Sequence, residues 1–315
     1  MDVPADALLA WYRKNARDLP WRRTEDPWAI LVAEVVLQQT RVEQATPYYE
    51  RILARFPTPE ALAEAPLEAL LKLWQGLGYY RRAENLWRAA REIAHKGFPR
   101  TFEGLRQLPG LGLYTAAAVA AFAFGEPVPA IDGNVRRVLA RYFALERPRQ
   151  KELFDLARPL VAAEPAETNQ ALIELGATLC TPKNPDCARC PLRSGCQGQA
   201  EPGRYPAPVR RRPRKMRLYA LALRAPGGWV LTRREAGMLR GLWGFPLDED
   251  EGALRARYRV EATQPLGVVH HQLTHRALEV RVLFGDHPGP GEDPAARPLS
   301  RLDEKILALL EERLG

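Results

Sequence analysis

Apolar residues recur at helical spacing through the first two thirds of the chain. Positions three and four residues apart share one face of a helix, so the repeats predict helices. The predicted helices span 8–11, 28–37, 61–74, 83–93, 115–124, 135–145 and 154–161. Asp26-Pro27 and Thr58-Pro59 each place a side-chain acceptor before a proline, which is a helix start signal. We therefore expect a mainly α domain over residues 1–198.

The pattern changes after residue 198. Residues 199–217 are rich in proline and then in arginine, which indicates an exposed linker, either simply solvated or able to hold a polyanion. Beyond it, strand-like runs at 218–223 and 229–231 flank Pro226-Gly227-Gly228 and predict a hairpin. Further strands are expected at 265–271 and 277–284, with a closing helix at 299–314. The sequence therefore predicts a smaller α/β domain over residues 218–315.

Composition narrows the class of protein. Hydrophobic residues make up 46% of the 315, enough for two cores, and the longest apolar runs are too short to span a bilayer. The N-terminus has no secretory pattern, so we expect a cytoplasmic, nucleoid-associated protein with no membrane segment, and a monomer by default. Lysine supplies only seven of the 46 basic residues, and the net charge is +8. The arginine excess suits phosphate recognition, or reflects an arginine-rich proteome.

All four cysteines fall within one short segment, spaced Cys180-x6-Cys187-x2-Cys190-x5-Cys196. Dispersed disulfides would not give this cluster, so the spacing indicates a metal site. Zinc usually takes two separated short knuckles, and only one Cys-x2-Cys pair is present, whereas four thiolates in a short loop can wrap an iron–sulfur cubane. Four protein ligands leave no open position for chemistry. We therefore expect a structural [4Fe–4S] cluster.

A glycine-rich turn lies between two helical stretches within residues 105–117. It contains Gly110 and Gly112 in the run Leu-Pro-Gly-Leu-Gly. Glycines let a backbone approach a phosphate closely, and the helix that follows presents unpaired N–H groups and the positive end of its dipole. Such a grip is independent of base sequence. The turn predicts a helix–hairpin–helix that holds DNA, or else a glycine-rich turn with no DNA role.

Two carboxylates stand out for their surroundings. Glu34 is the lone acid of an apolar helix, so burial would raise its pKa and make it a proton donor, unless it is a structural acid paired with an arginine. Asp132 precedes a helix expected to begin near Asn134 and can cap it. Hydrogen bonds from the helix N–H groups would then keep the Asp132 carboxylate ionised.

Five segments resemble, in the same order, the MutY family of adenine DNA glycosylases in the endonuclease III superfamily. They are residues 34–40, 76–80, 108–115, 132–138 and the cysteine loop. The resemblance covers nearly all of residues 1–198 and implies a helix–hairpin–helix glycosylase domain with a [4Fe–4S] loop. It also implies an enzyme that flips adenine opposite 8-oxoguanine or guanine out of duplex DNA and hydrolyses its N-glycosidic bond.

The resemblance implies roles for particular residues. Glu34 would protonate N7 of adenine and later help to activate water, while Asp132 would stabilise the oxocarbenium-like sugar. Tyr114 and Asn134 would support the sugar and the catalytic pair. Endonuclease III-type members carry a hairpin lysine that forms a Schiff base with the sugar. The hairpin of this chain has no lysine, so we expect a monofunctional glycosylase.

Further residues are implied by motif position alone. Gln39 and Tyr79 match residues that fill the gap and wedge beside the lesion, where a planar ring can hold unstacked bases apart. The residues matched to the adenine pocket are Arg17, Trp21, Arg22, Leu37, Gln170 and Ile173.

Residues 218–315 resemble, more weakly, the Nudix-like domain that reads 8-oxoguanine in this family. The landmark is the run 241–246, and the segment after it lacks the glutamate pattern of a pyrophosphatase, so we expect no such activity. The reading loop is usually Phe-Ser-His, and here it is Leu273-Thr274-His275, with leucine in place of the ring. An alternative interpretation of this loop is a metal site formed by His270, His271 and His275.

Two other classes of protein stay open. A glycosylase for thymine or oxidised pyrimidines would share the scaffold, although the lysine-free hairpin and the C-terminal domain argue against its lyase form. A non-catalytic, cluster-bearing DNA-binding or redox-sensing protein would not need both Glu34 and Asp132. A Glu34→Gln variant of such a protein would lose nothing.

Overall fold

The computed structural model describes residues 3–208, 213–273 and 275–315. The chain divides into two compact units, Met1–Glu64 with Asn85–Val209, and Ala65–Glu84 with Arg210–Gly315. The expected fold class, a mainly helical part with a smaller α/β part, is confirmed. No sequence pattern indicated that Ala65–Glu84 belongs with the C-terminal unit. The domain boundaries expected at residues 198 and 218 stay predictions.

Helices account for most of residues 3–208, with a short 3₁₀ turn at Pro20–Arg22. In chain order they are α1 (Ala5–Asn15), α2 (Pro27–Leu37), α3 (Val42–Arg55), α4 (Pro59–Glu64), α5 (Leu67–Trp74), α6 (Arg81–Lys96), α7 (Phe102–Leu105), α8 (Leu113–Phe124), α9 (Gly133–Tyr142), α10 (Gln150–Ala157) and α11 (Pro165–Thr178).

Both expected start signals are present, whereas several helix bounds differ from the prediction. Asp26 accepts hydrogen bonds from two N–H groups of α2, and Thr58 accepts from the Ala61 N–H at 3.2 Å. The single helix predicted over 61–74 was wrong, because Pro66 cannot continue a helix and instead caps α5. Helix α9 stops at Tyr142, before Ala144 turns to a φ of 52°. Helices α3 and α11 had no prediction of their own.

The centre of the first unit is formed by α2 and α8, which pack against each other. Both are apolar on nearly every side, and the alanines of α8 let neighbouring helices approach closely. A second apolar cluster joins α1, α9, α10 and α11 around Leu8, Leu139 and Leu172. These contacts fix the ends of α2, α8, α9 and α11, where the polar residues described below are located.

The elements of the C-terminal unit are β1 (Arg214–Ala225), β2 (Gly228–Trp229), β3 (Thr232–Arg233), β4 (Trp243–Gly244), β5 (Leu247–Asp248), α12 (Glu251–Tyr258), β6 (Gln264–Gln272), β7 (Arg276–Asp286) and α13 (Arg301–Leu314). The unit contains a mixed sheet in the order β2-β1-β7-β6, with β5 also paired to β1. Strands β1 and β2 form the expected antiparallel hairpin, β1 and β7 are parallel, and β6 and β7, which were expected as strands, are antiparallel. Helix α13 packs on β6. Within the described ranges, no helix has the length and apolarity needed to cross a membrane.

Candidate active site

A cleft of about 740 Å³ opens in the first unit where α2, the start of α8, the start of α9 and α11 meet. It brings together residues that are far apart in the chain. The predicted site residues that line it are Arg17, Trp21, Arg22, Glu34, Leu37, Gln39, Gly110, Gly112, Tyr114, Asp132, Asn134, Gln170 and Ile173.

Glu34 lies on α2 and is only 6% exposed. Burial is the largest influence and raises the pKa of Glu34 to about 7, with a smaller increase from Asp132. A hydrogen bond with Tyr114 and the charge of Arg22 act in the opposite direction. The expected burial and raised pKa are confirmed. Near neutral pH this carboxyl group can therefore give up a proton and take one back.

The hydroxyl group of Tyr114 is the hydrogen-bond partner of Glu34. Tyr114 is the second residue of α8, next to the hairpin. Burial, together with the nearby carboxylates of Glu34 and Asp132, raises the pKa of Tyr114 well above its usual value. The hydroxyl group therefore keeps its proton and is the donor in this bond.

Asp132 caps α9, as expected. Its Oδ1 accepts from the backbone N–H of Val135 at 2.7 Å, and its Oδ2 accepts from Nδ2 of Asn134 at 2.9 Å. These hydrogen bonds act in the expected direction, because they favour the ionised carboxylate. Burial is the larger effect, so the pKa of Asp132 is raised although the hydrogen bonds lower it.

Asn134 is held in turn by Arg137 of the same helix. Arg137 Nη2 donates to Oδ1 of Asn134 and to the carbonyl oxygen of Gly176, both at 2.8 Å, and its Nε donates to the carbonyl oxygen of Cys180 at 2.7 Å. Only glycine fits at position 176, because a Cβ there would lie 2.6 Å from the Cβ of Asn134. The contact places Asn134 against α11.

The loop before Asp132 is anchored by Asn169, a fully buried residue of α11 that the sequence reasoning missed. Its Oδ1 accepts from the Ala130 N–H at 2.8 Å, and its Nδ2 donates to the carbonyl oxygens of Val128 and Pro165. These bonds satisfy the buried backbone and fix the approach of the chain to Asp132.

Sequence reasoning also missed the carboxylate of Glu174, which is fully buried in α11. It accepts hydrogen bonds from the guanidinium groups of both Arg17 and Arg22. Burial raises the pKa of Glu174, but these bonds and the two positive charges together outweigh burial and lower it. A signal was available: Glu174 is a lone acid in the apolar run 171–176, which is the pattern that singled out Glu34.

Two contacts fix other residues that line the cleft. The hydroxyl group of Tyr12 donates to Oε1 of Gln170 at 2.6 Å. The Trp21 ring meets the Tyr49 ring edge to face, with 5.5 Å between centroids. Trp21 and Gln170 therefore each have a defined orientation at the cleft wall.

The hairpin between α7 and α8 depends on Gly110. This residue has a φ of 78°, and a Cβ there would lie 2.4 Å from the Cβ of Asn85. Gly112, in contrast, has an extended backbone, caps α8 without a side-chain bond, and has open space where a Cβ would be. The first glycine shapes the turn, and the second leaves the start of α8 accessible.

Gln39 and Tyr79 share an unusual backbone conformation. Gln39 is exposed with a φ of 56°, just after α2. Tyr79 is 47% exposed with a φ of 49°, and Arg82 stacks on its ring in the C-terminal unit. Positive φ values are uncommon outside glycine and cost energy, which makes both positions candidates for function.

The four cysteines line one small cavity in the first unit, and none forms a disulfide. Burial and the nearby charges of the other three sulfurs raise the pKa of Cys190 to about 11. Across the described residues, no three or more His, Cys, Asp or Glu side chains converge as a site for one metal ion. The donor set, four thiols around a shared cavity, is consistent with an iron–sulfur cluster.

Leu273 and His275 of the predicted reading loop lie between the end of β6 and the start of β7. Leu273 packs against the core of the C-terminal unit, and its N–H donates to the carbonyl oxygen of Arg276 at 2.8 Å. His275 is exposed, and its carbonyl oxygen accepts from the Arg214 N–H. Thr274 lies outside the described residues, as do Arg210, Arg211 and Arg212 of the linker.

Residues 32–162 match the HhH-GPD superfamily of base excision DNA repair proteins. The adenine DNA glycosylase of Arabidopsis thaliana is 38% identical over 91% of this chain, and that of Homo sapiens is 44% identical over 61%. The chain spans only 58% and 39% of these two relatives. It spans 85% of the adenine DNA glycosylase of Buchnera aphidicola subsp. Acyrthosiphon pisum, which is 32% identical over 88% of this chain.

Two solved structures share the fold of the helical part. A thermostable thymine-DNA glycosylase is 30% identical with a TM-score of 0.59, covering 62% of this chain and 95% of that one. A trapped endonuclease III–DNA covalent intermediate is 26% identical with a TM-score of 0.55, covering 62% and 94%. The sequence relatives distinguish within this group. The chain belongs to the adenine DNA glycosylase family, within the HhH-GPD superfamily of base excision DNA repair proteins.

Proposed function

We propose that this chain removes adenine mispaired with 8-oxoguanine or guanine in duplex DNA, by hydrolysis and without cutting the strand. The observation that carries the proposal is the pair Glu34 and Asp132, two carboxyl groups in different surroundings that line the same cleft. A glycosidic bond within stacked DNA is out of reach, so the adenine must be flipped into such a cleft.

Glu34 is the proton donor in this mechanism. As the bond between C1′ and N9 breaks, its electron pair passes to the base, and the Glu34 proton goes to N7, so adenine leaves as a neutral molecule. The carboxylate of Asp132 faces the positive charge that develops on the sugar. Water then adds to C1′, and the Glu34 carboxylate accepts its proton. Tyr114 and Asn134 keep the two carboxyl groups in place through the hydrogen bonds described above.

The residues around the cleft favour a monofunctional reaction. A lyase needs an amine that attacks C1′ and forms a Schiff base. Among the described residues that line the cleft the cationic side chains are arginines, and the hairpin of residues 105–117 has no lysine. Water is therefore the nucleophile in the proposed reaction.

DNA would be held by the hairpin and read by the C-terminal unit. Gly112 caps α8 without a side chain, so a phosphate could approach the first N–H groups of the helix there without meeting a side chain. Leu273, Thr274 and His275 would contact 8-oxoguanine on the opposite strand, without the usual aromatic ring. The Nudix-like character without pyrophosphatase activity, the monomeric state and the cytoplasmic location stay predictions.

We also propose that Cys180, Cys187, Cys190 and Cys196 hold a [4Fe–4S] cluster. The four cysteines line one cavity, and they come from a single short loop with only one Cys-x2-Cys pair, which supports a cluster over zinc. When bound, the cluster supplies a cross-link that fixes the loop, with its thiols deprotonated. Arg141 donates to the carbonyl oxygen of Thr181 at 2.7 Å and so ties α9 to the same loop.

The test uses labelled duplexes that pair one adenine with 8-oxoguanine, guanine or thymine, and a further duplex with a thymine–guanine mismatch. We expect adenine release from the first two, with strand breaks appearing only after alkali and no adduct trapped by borohydride. Glu34→Gln should abolish release. Release of thymine but not adenine would overturn the adenine assignment in favour of the thymine glycosylase that the chain resembles in structure.

A further inference from the structure

Two arginines from the N-terminal segment reach the proposed adenine pocket, and both are held by Glu174. Its Oε1 accepts from the backbone N–H of Arg17 at 3.2 Å and from Nε of Arg17 at 2.8 Å. Its Oε2 accepts from Nη2 of Arg17 at 3.0 Å and from Nη2 of Arg22 at 2.7 Å. Four donors use the acceptor capacity of both oxygens of a carboxylate that has no exposed surface.

Arg22 is fixed on three sides. Besides Glu174, its Nη1 donates to the carbonyl oxygen of Arg17 at 3.0 Å, and its guanidinium group lies 5.5 Å from the centroid of the Tyr12 ring. The side chain of Arg22 is only 12% exposed. A cation held so firmly acts on its neighbours from a constant position, and water screens it little.

The neighbours that Arg22 acts on include the proposed proton donor. Its charge favours the ionised forms of Glu34 and Tyr114 and so opposes the effect of burial. A buried guanidinium without a partner would act more strongly still, and would be costly to keep in place. The carboxylate of Glu174 carries one negative charge and therefore offsets one of the two positive charges of Arg17 and Arg22.

We propose that Glu174 is a positioning residue of the active site: it holds Arg17 and Arg22 at the wall of the cleft that Glu34 also lines, and it offsets one of their two positive charges there. The proposal rests on the role of Glu34 as proton donor proposed above. The proposal gives the buried ion pairs of Glu174 with Arg17 and Arg22 a function in catalysis, because the reaction needs Glu34 protonated when adenine enters.

Other charged groups near Glu34 come from every element around the cleft. Tyr114 lies on α8 and Asp132 at the start of α9, and both act on Glu34. Arg41 and Glu43, at the start of α3, also line the cleft. All of them are retained when Glu174 alone is changed. A displaced pH dependence in a Glu174 variant therefore reports on the charge balance of Arg17 and Arg22.

The experiment measures adenine release under single turnover from a duplex with adenine opposite 8-oxoguanine, between about pH 5 and pH 9. The variants are Glu174→Gln, which removes the charge, and Glu174→Asp, which keeps it on a shorter side chain. Wild-type activity should fall on the alkaline side near the pKa of Glu34, about 7. In Glu174→Gln this midpoint should move to lower pH by about one unit, giving an activity loss of roughly tenfold at pH 8. Glu174→Asp should keep the wild-type midpoint even if its rate is lower.

Arg22→Gln provides an independent variant in case Glu174→Gln does not fold. Removing the cation should move the midpoint to higher pH, opposite to the change in Glu174→Gln. Equal loss of rate at every pH with an unchanged midpoint in Glu174→Gln, or an unchanged midpoint in Arg22→Gln, would overturn the proposal and leave Glu174 a structural residue. If wild type releases no adenine, or if Glu34→Gln is active, the proposed function itself fails, whatever the Glu174 variants do.

Discussion

Arg137 donates a hydrogen bond from Nη2 to Oδ1 of Asn134 at 2.8 Å. Asn134 donates in turn to Oδ2 of Asp132 at 2.9 Å, while Nε of Arg137 donates to the carbonyl oxygen of Cys180 at 2.7 Å. The cysteine loop is therefore connected to Asp132 through three consecutive hydrogen bonds. The contacts to Asn134 and Cys180 use two different nitrogen atoms of the Arg137 guanidinium group. The shorter amide side chain of glutamine cannot make both contacts.

We expect Arg137→Gln to lower both adenine release and stability. The shorter side chain leaves the Cys180 carbonyl and the Asn134 amide without their donor, at a cost of about 2 kcal/mol in the free energy of unfolding. Loss of the Asp132 orientation should slow single-turnover release by about tenfold or more. Arg158→Gln, which changes an exposed arginine stacked on Phe154, is the control and should behave as wild type. A wild-type rate in Arg137→Gln would show that the connection does not position Asp132.

Glu34 should destabilise the fold at alkaline pH. Its pKa is about 7 in the folded protein against about 4.5 when unfolded, so the folded chain binds the proton more tightly. The stability this contributes is complete below about pH 4.5 and is lost as pH rises through 7. The glutamine of Glu34→Gln cannot ionise. At pH 8 the free energy of unfolding of this variant should therefore exceed that of wild type by on the order of 3 kcal/mol, so the variant is the more stable protein.

Chemical unfolding of the Glu34→Gln variant and wild type at pH 5 and pH 8 checks this prediction. The two proteins should differ little at pH 5 and clearly at pH 8, while the variant is inactive at both. An equal difference at the two pH values would mean that the carboxyl group does not change its charge in this range, contrary to the raised pKa.

The sequence was enough to predict the burial and the raised pKa of Glu34, because one acid in an apolar helix has few ways to be buried. The same pattern surrounds Glu174, yet its role depends on Arg17 and Arg22, which are more than 150 residues away in the chain. Only the fold brings those groups together. For the same reason, the strand-like runs on either side of Pro226-Gly227-Gly228 predicted the β1–β2 hairpin, but no pattern predicted the parallel pairing of β1 with β7. The net change in the pKa of Asp132 could not be predicted from the sequence either, because it depends on how deeply the carboxyl group is buried.

Tyr114→Phe should extend the pH range of adenine release to more alkaline pH. The hydroxyl group of Tyr114 bonds to Glu34 and favours its ionised form, so its removal should raise the pKa of Glu34. The maximal rate should fall by about tenfold because the contact that orients Glu34 is lost. The single-turnover pH profile should thus keep its alkaline limb at higher pH than wild type. A midpoint at lower pH, as expected for Glu174→Gln, would contradict the assigned hydrogen bond.

The two hairpin glycines should respond differently to the same substitution. Gly110→Ala places a Cβ in a left-handed backbone conformation and 2.4 Å from the Cβ of Asn85, so it should lower the free energy of unfolding by about 2 to 4 kcal/mol. Gly112→Ala meets no atom within 4 Å and should fold normally. Its methyl group would instead occupy the approach of a phosphate to the start of α8, so it should weaken binding to undamaged duplex. Thermal unfolding and a duplex titration of both variants separate the two effects. Wild-type affinity in Gly112→Ala would mean that DNA does not contact the hairpin there.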